Sequence, residues 1–145
     1  MAELDPAFWD TSALVPLCVQ QKGSSVVGQL ATVHSIVAWW ATPLEIQSAL
    51  ARFLRMELLT AVEYRQAQER AEILRRSWRE IQPHNLLRIL AASLLDQFPL
   101  RAADALQLAS ALTWSRHQPQ KYTFLSGDKQ LLTAARFIGF RAQEV

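Results

Sequence analysis

The chain has 145 residues, of which 50% are hydrophobic and 19% are charged, so a disordered protein is excluded and one globular domain over residues 1–145 is expected. The formal net charge of +2 is too small to indicate a nucleic-acid partner by itself. A single cysteine, Cys18, excludes an internal disulfide and suits a reducing compartment. Because no run approaches the roughly 18 apolar residues of a membrane span, and residues 1–6 are acidic, we expect a cytoplasmic protein with no signal peptide and no membrane anchor.

Residues 7–9, Ala-Phe-Trp, predict the first strand, because a short run of bulky apolar residues is typical of a strand buried on both faces. The run ends at Asp10, so this carboxylate is expected at the carboxyl end of the strand. We expect Thr11 or Ser12 to cap a helix that covers residues 13–20.

A second strand is predicted over residues 34–39, after a short helical pattern around residues 26–31. Thr42 is the expected N-cap of a helix over residues 43–55, which begins with a proline. Glu45 is then a first-turn acid in a helix that directly follows a strand.

The middle of the chain predicts mainly helices. Thr60 is expected to cap an amphipathic helix over residues 61–79, and residues 81–83 form a short connection or a weak strand. A further helix covers residues 84–97 and stops before a proline. It is followed by residues 100–112, which are almost wholly Ala and Leu and therefore strongly helical.

The helix over residues 100–112 carries one carboxylate, Asp104, in apolar surroundings. A buried charge needs a partner, a metal or a shifted pKa. Taken alone, Asp104 is explained more simply as an acid in the first helical turn, where the helix dipole favours negative charge.

The last part of the chain predicts a strand over residues 121–125, Asp128 just beyond it, a helix over residues 129–137 and a final strand over residues 140–145. Strands alternate with helices throughout, which indicates a parallel sheet covered on both faces. In such folds the functional crevice lies outside the carboxyl ends of the strands.

Three acids, Asp10, Glu45 and Asp128, are therefore expected at one edge of the sheet, whereas the convergence of Asp104 with them is an inference. Clustered carboxylates repel one another unless a cation is present, and hard oxygen ligands suit Mg²⁺ or Mn²⁺. A metal held this way supports phosphodiester hydrolysis. Spacing alone is a weak indication, since 13 acids could offer such a set by chance.

Four segments resemble the PIN-domain ribonucleases, specifically the VapC-like toxins of toxin–antitoxin pairs. The matching segments are residues 9–15 (WDTSALV), 42–50 (TPLEIQSAL), 100–109 (LRAADALQLA) and 124–128 (FLSGD). They occur in the family's order and span nearly the whole chain, and the segment around Asp104 is the most specific.

The resemblance implies a Rossmann-like α/β/α sandwich with a mainly parallel sheet. It implies that Asp10, Glu45, Asp104 and Asp128 are the catalytic and metal-binding acids, which hold Mg²⁺ or Mn²⁺ and cleave single-stranded RNA. It also implies a homodimer and a small antitoxin protein that occupies the acidic groove.

Ser12 and Ser126 match small hydroxyl positions beside the metal, although many relatives carry Thr at the second, and capping explains these serines equally well. Arg101 could neutralise the acids or contact phosphate, with a surface salt bridge as the simpler explanation. RNA contact and a solvated face are both open for five arginines, which are Arg52, Arg55, Arg75, Arg76 and Arg79.

Other functions remain as alternatives. Phosphatases with a nucleophilic first-strand Asp typically have a second Asp two residues later, where this chain has Ser12. The chain's four glycines are isolated, so it lacks the glycine-rich loop of P-loop nucleotide hydrolases. A PIN-like module that only binds protein or nucleic acid, and a metal-dependent nuclease outside a toxin system, both stay open.

Overall fold

The computed structural model describes residues 3–145, so Met1 and Ala2, which begin the acidic N-terminal stretch, lie outside the described residues. Within them the strands are β1 (Asp5–Trp9), β2 (His34–Trp39), β3 (Arg79–Ile81), β4 (Thr123–Ser126) and β5 (Arg141–Glu144). The helices are α1 (Thr11–Cys18), α2 (Ser24–Leu30), α3 (Thr42–Arg55), α4 (Ala61–Ser77), α5 (Asn85–Gln97), α6 (Ala102–Trp114) and α7 (Lys129–Ile138). A 3₁₀ turn covers Pro119–Lys121.

The five strands form one parallel sheet in the order β3-β2-β1-β4-β5. β1 is central, and its Phe8 is paired with Val37 of β2 on one side and Phe124 of β4 on the other. Because the chain fills one side of β1 with β2 and β3 and the other side with β4 and β5, the direction of winding reverses next to β1. A crevice is expected outside the carboxyl ends of the strands at such a point.

Helices cover both faces of the sheet. Successive side chains of a strand point to opposite faces, so neighbouring residues of β1 pack against different helices. Ala7 and Trp9 belong to one buried cluster, which packs against α1, α2, α3 and α4. Phe8, between them in sequence, belongs to a second cluster formed with α5, α6 and α7. The predicted α/β/α sandwich with a mainly parallel sheet is therefore confirmed.

The predicted N-caps near the two strand ends are wrong. Asp10, not Thr11 or Ser12, caps α1, because its carboxylate accepts a hydrogen bond from the backbone N–H of Ala13. Thr42 is the first residue of α3 rather than its N-cap, and its side chain is fully buried. In both places the side chain that was predicted to cap a helix instead contacts a residue that is distant in the sequence.

Other local predictions hold. Thr60 caps α4, and Glu63 completes a capping box with it. The weak strand predicted over residues 81–83 lies two residues earlier, as the edge strand β3 (Arg79–Ile81), because α4 ends at Ser77 and not at residue 79. Cys18 is buried in α1 as part of the core. Over residues 3–145, none of the helices combines the length and apolarity needed to cross a membrane.

Candidate functional site

The four predicted acids line one cavity of about 560 Å³. Asp10 directly follows β1 and Asp128 lies just beyond β4, so both lie at the carboxyl edge of the sheet. Glu45 and Asp104 are in the first turns of α3 and α6. The structure thus brings together acids from four separate elements, including Asp104, whose convergence the sequence could only suggest.

Asp10 is the most buried of these acids, with 4% of its surface exposed. Burial penalises the charged carboxylate and raises the pKa of Asp10 to about 6, although hydrogen bonds from Ser12, Ser126 and the backbone N–H of Ala13 oppose the shift. Asp10 is therefore a carboxylate that the fold keeps partly desolvated, which is typical of functional sites.

Ser12 and Ser126 support Asp10 instead of capping helices. Ser12 donates to Oδ1 of Asp10, and Ser126 donates to Oδ2 at 2.6 Å. Each serine also accepts a backbone N–H from the loop after β4, from Gly127 at 2.7 Å and from Asp128 at 2.9 Å respectively. The two hydroxyls therefore join the end of β1 to the end of β4.

Glu45 is held by two donors on a single oxygen. The hydroxyl of Thr11 donates to Oε1 at 2.7 Å, and Nε2 of Gln107 donates to the same atom at 2.7 Å. Neither donor was predicted from the sequence as a site residue. The available indication was the amide of Gln107 one helical turn after Asp104, which is a polar side chain in a helix that is otherwise almost wholly apolar.

Asp104 and Asp128 lie close enough to influence each other. The pKa of Asp104 is raised, first by burial and then by the negative charge of Asp128. A backbone hydrogen bond at Arg101 and its positive charge oppose the shift. Arg101 is the exposed N-cap residue of α6, so its guanidinium acts as a local counter-charge to Asp104.

Asp128 also has a structural role, because it caps α7. Its Oδ1 accepts the backbone N–H of Gln130 at 2.9 Å and of Leu131 at 3.2 Å. Asp10 caps α1 in a similar way. Each acid therefore stabilises a helix while it lines the cavity, so replacement by Ala removes a cap as well as a charge.

Of the five arginines considered for RNA contact, Arg52 lines the cavity. It is two helical turns beyond Glu45 on α3 and packs its guanidinium 5.5 Å from the centre of the Phe53 ring. Arg75 and Arg76 form ion pairs with Glu72 on the exposed surface of α4, as the solvated-face interpretation expects. The lining of the acidic cavity therefore includes the guanidinium of Arg52 and the ring of Phe53.

The donor chemistry of the cavity fits a hard divalent cation, since carboxylate and hydroxyl oxygens are the ligands that Mg²⁺ and Mn²⁺ accept. The raised pKa values of Asp10 and Asp104 show that the surroundings disfavour their negative charge, a penalty that a cation would offset. Over residues 3–145, no three His, Cys, Asp or Glu side chains stand close enough together to hold one ion. Binding of one ion by three of these carboxylates would therefore require their side chains to rotate toward one another.

No protein-family model and no curated protein matches the chain. Several solved structures do match. The crystal structure of VapBC2 from Rickettsia felis, bound to a DNA fragment from its promoter, has a TM-score of 0.63 at 12% identity, covering 95% of this chain and 97% of that chain.

Two further structures match similarly. FitAcB from Neisseria gonorrhoeae has a TM-score of 0.64 at 18% identity, covering 94% of this chain and 95% of that chain. A toxin–antitoxin complex from Klebsiella pneumoniae has a TM-score of 0.58 at 15% identity, covering 86% and 88% respectively. At these identities the likeness establishes architecture. The chain has the PIN-domain fold that these toxin–antitoxin structures share.

Proposed function

We propose that this protein is a Mg²⁺- or Mn²⁺-dependent endoribonuclease that hydrolyses phosphodiester bonds in RNA. The observation that carries the proposal is the set of four carboxylates, from β1, α3, α6 and the loop after β4, that line one cavity at the carboxyl edge of the sheet. Asp10 and Asp128 also cap helices, but capping does not require four distant segments to present like charges to the same space, where these charges repel one another.

In this proposal Asp10, Glu45, Asp104 and Asp128 are the residues that hold the cation. When bound, a divalent ion supplies positive charge for an in-line displacement at phosphorus and lowers the pKa of its water. The serines beside Asp10 fix the direction of its carboxylate. Arg52 offers the guanidinium that can bind a neighbouring RNA phosphate at the rim of the cavity.

We further propose that the enzyme is the toxin of a cytoplasmic toxin–antitoxin pair, acting as a homodimer with a small antitoxin protein. The structural neighbours are toxin–antitoxin complexes, and this supports the antitoxin partner. Large exposed apolar side chains provide candidate contact surfaces on two regions of the molecule. They are Leu44, Leu58, Val62 and Ile73 on and between α3 and α4, and Leu86, Ile89 and Phe137 on α5 and α7.

The test of the enzymatic proposal is cleavage of labelled single-stranded RNA by the purified protein, with Mg²⁺ or Mn²⁺ and with EDTA. We expect cleavage with metal, none with EDTA and none by Asp104→Asn. Glu63→Gln is the matched control, because Glu63 is also a first-turn acid but belongs to the capping box of α4. Cleavage that survives EDTA or Asp104→Asn would contradict a metal-dependent nuclease.

A binding module without catalysis is the second candidate, and the lack of three close metal ligands within residues 3–145 is the observation that favours it. It predicts Mn²⁺ or RNA binding with no cleavage of any RNA. Co-purification with a small protein encoded by a neighbouring gene would indicate a toxin, and its absence would indicate a nuclease that acts outside a toxin system.

A further inference from the structure

Gln107 is a buried polar residue whose environment is not explained by packing. Its side chain lies in α6, one helical turn beyond Asp104, and is 3% exposed. Its carbonyl oxygen Oε1 is buried and accepts no hydrogen bond from residues 3–145. Such an orphaned acceptor costs free energy that a leucine, the residue type on both sides of Gln107, would avoid.

The hydrogen bonds of its amide nitrogen explain why a glutamine occupies this position despite that cost. Nε2 lies 2.7 Å from Oε1 of Glu45, 3.0 Å from Oγ1 of Thr11 and 3.2 Å from Oγ1 of Thr42. All three atoms can accept a hydrogen bond, although Nε2 has only two hydrogens to share among them. The opposite amide orientation would place a carbonyl oxygen against the Glu45 carboxylate, so the observed one is chemically required.

This hydrogen bond connects the two helical layers of the sandwich. α3 packs on one face of the sheet and α6 on the other, and Gln107 reaches Glu45 across the carboxyl edge of the strands. Thr11 donates to the same oxygen from the start of α1. Because Oε1 of Glu45 already accepts two hydrogen bonds, Oε2 is the oxygen that remains available to a ligand.

We propose that Gln107 is a positioning residue for Glu45, fixing this carboxylate so that one oxygen faces a divalent cation in the cavity. The inference rests on the proposed metal-dependent function and adds a residue that acts through Glu45, not on the metal. Removal of a residue that orients a metal ligand typically weakens metal binding by about 10–100-fold.

The experiment measures Mn²⁺ affinity of the full chain by calorimetry without RNA. We expect Gln107→Met, which keeps the length of the side chain but removes the donor, to weaken Mn²⁺ binding by about tenfold or more. Ser110→Ala is the control, because Ser110 is also buried on α6 but, among residues 3–145, its side chain bonds only to the Leu106 carbonyl. The control should bind Mn²⁺ as the wild type does.

A double-mutant comparison tests whether Gln107 acts through Glu45. In a Glu45→Ala background, Gln107→Met should have no further effect on Mn²⁺ affinity, because the carboxylate that it positions is gone. An equal loss in both backgrounds, or unchanged affinity of Gln107→Met, would overturn the inference. Circular dichroism checks folding, and Gln107→Leu replaces the Met variant if that variant does not fold.

The two proposals fail in different ways. A wild-type chain that binds no Mn²⁺ overturns the metal-dependent function and this inference with it. A wild type that binds Mn²⁺ and cleaves RNA, together with a Gln107→Met variant of equal affinity, overturns only the positioning role.

Discussion

Glu63 of α4 and Asp104 of α6 are both acids in the first turn of a helix, but their surroundings affect them in opposite ways. Glu63 accepts the backbone N–H of Thr60 at 2.9 Å, and this hydrogen bonding lowers its pKa. Asp104 is half-buried beside Asp128, and both burial and that charge raise its pKa. The helix dipole favours negative charge at both positions, so the difference comes from what packs around each acid.

The comparison teaches how to separate a structural acid from a site acid. A carboxylate that caps a helix at the exposed surface, as Glu63 does, is placed where its charge is favoured, and its pKa falls. The pKa values of Asp10 and Asp104 rise, because the fold holds these groups in a cavity that disfavours their charge. Ionisable groups whose surroundings disfavour their charged form are concentrated at functional sites.

The largest expected effect contrasts the two acids in RNA cleavage. Asp104→Asn should reduce the cleavage rate by more than about a hundredfold, because outer partners of metal sites alone are worth about 10–100-fold. Glu63→Gln should cleave at the wild-type rate. The measurement is the initial rate on labelled single-stranded RNA with Mg²⁺, and equal losses in both variants would remove the distinction.

Asp10 should make the stability of the metal-free protein depend on pH. Its pKa is about 6 in the folded protein and near 3.8 when exposed, so the folded state binds more protons between those values. Its contribution to the free energy of unfolding is therefore greatest below pH 4 and declines as the pH rises to about 6, by on the order of 2–3 kcal/mol.

Urea denaturation in EDTA at pH 4 to 7 measures this decline. Asp10→Asn keeps one of the two acceptor oxygens that Ser12 and Ser126 use, and it cannot ionise, so its stability should lack this component of the pH dependence. A wild type and an Asp10→Asn variant with the same dependence on pH would show that Asp10 is not desolvated as the structure indicates.

Loss of the α4 cap should affect stability and leave function intact. Thr60→Ala removes the hydroxyl that accepts the N–H of Glu63, at a cost of about 1 kcal/mol. The free energy of unfolding should fall by this amount, while RNA cleavage by the folded variant is unchanged. Reduced cleavage under folding conditions would place this end of α4 in the functional surface.

The smallest expected effect concerns the pair of acids itself. Asp128→Asn removes the charge that raises the pKa of Asp104 but keeps a side chain that can cap α7. The pKa of Asp104 should therefore fall in the metal-free protein, as measured by NMR titration of its carboxyl carbon. Asp128→Ala should show the same fall with an added loss of stability, and an unchanged pKa would mean that the two acids do not interact.

The sequence by itself determined the features that depend on neighbouring residues. Alternating strand and helix patterns predicted the parallel α/β sandwich, and Thr60 was predicted as an N-cap because its capping hydrogen bond joins residues three apart. The four acids were identified by motif resemblance, because the segments carrying them retain a recognisable pattern of residue types.

Only the tertiary structure decided which polar side chains serve the cavity. Thr42 matched the pattern of an N-cap, but packing buries it beside Gln107, which is 65 residues away in the chain. Asp104 follows a helix instead of a strand, so its position depends on how α6 packs against the sheet. Such contacts arise from the packing of distant elements, and no local periodicity encodes them.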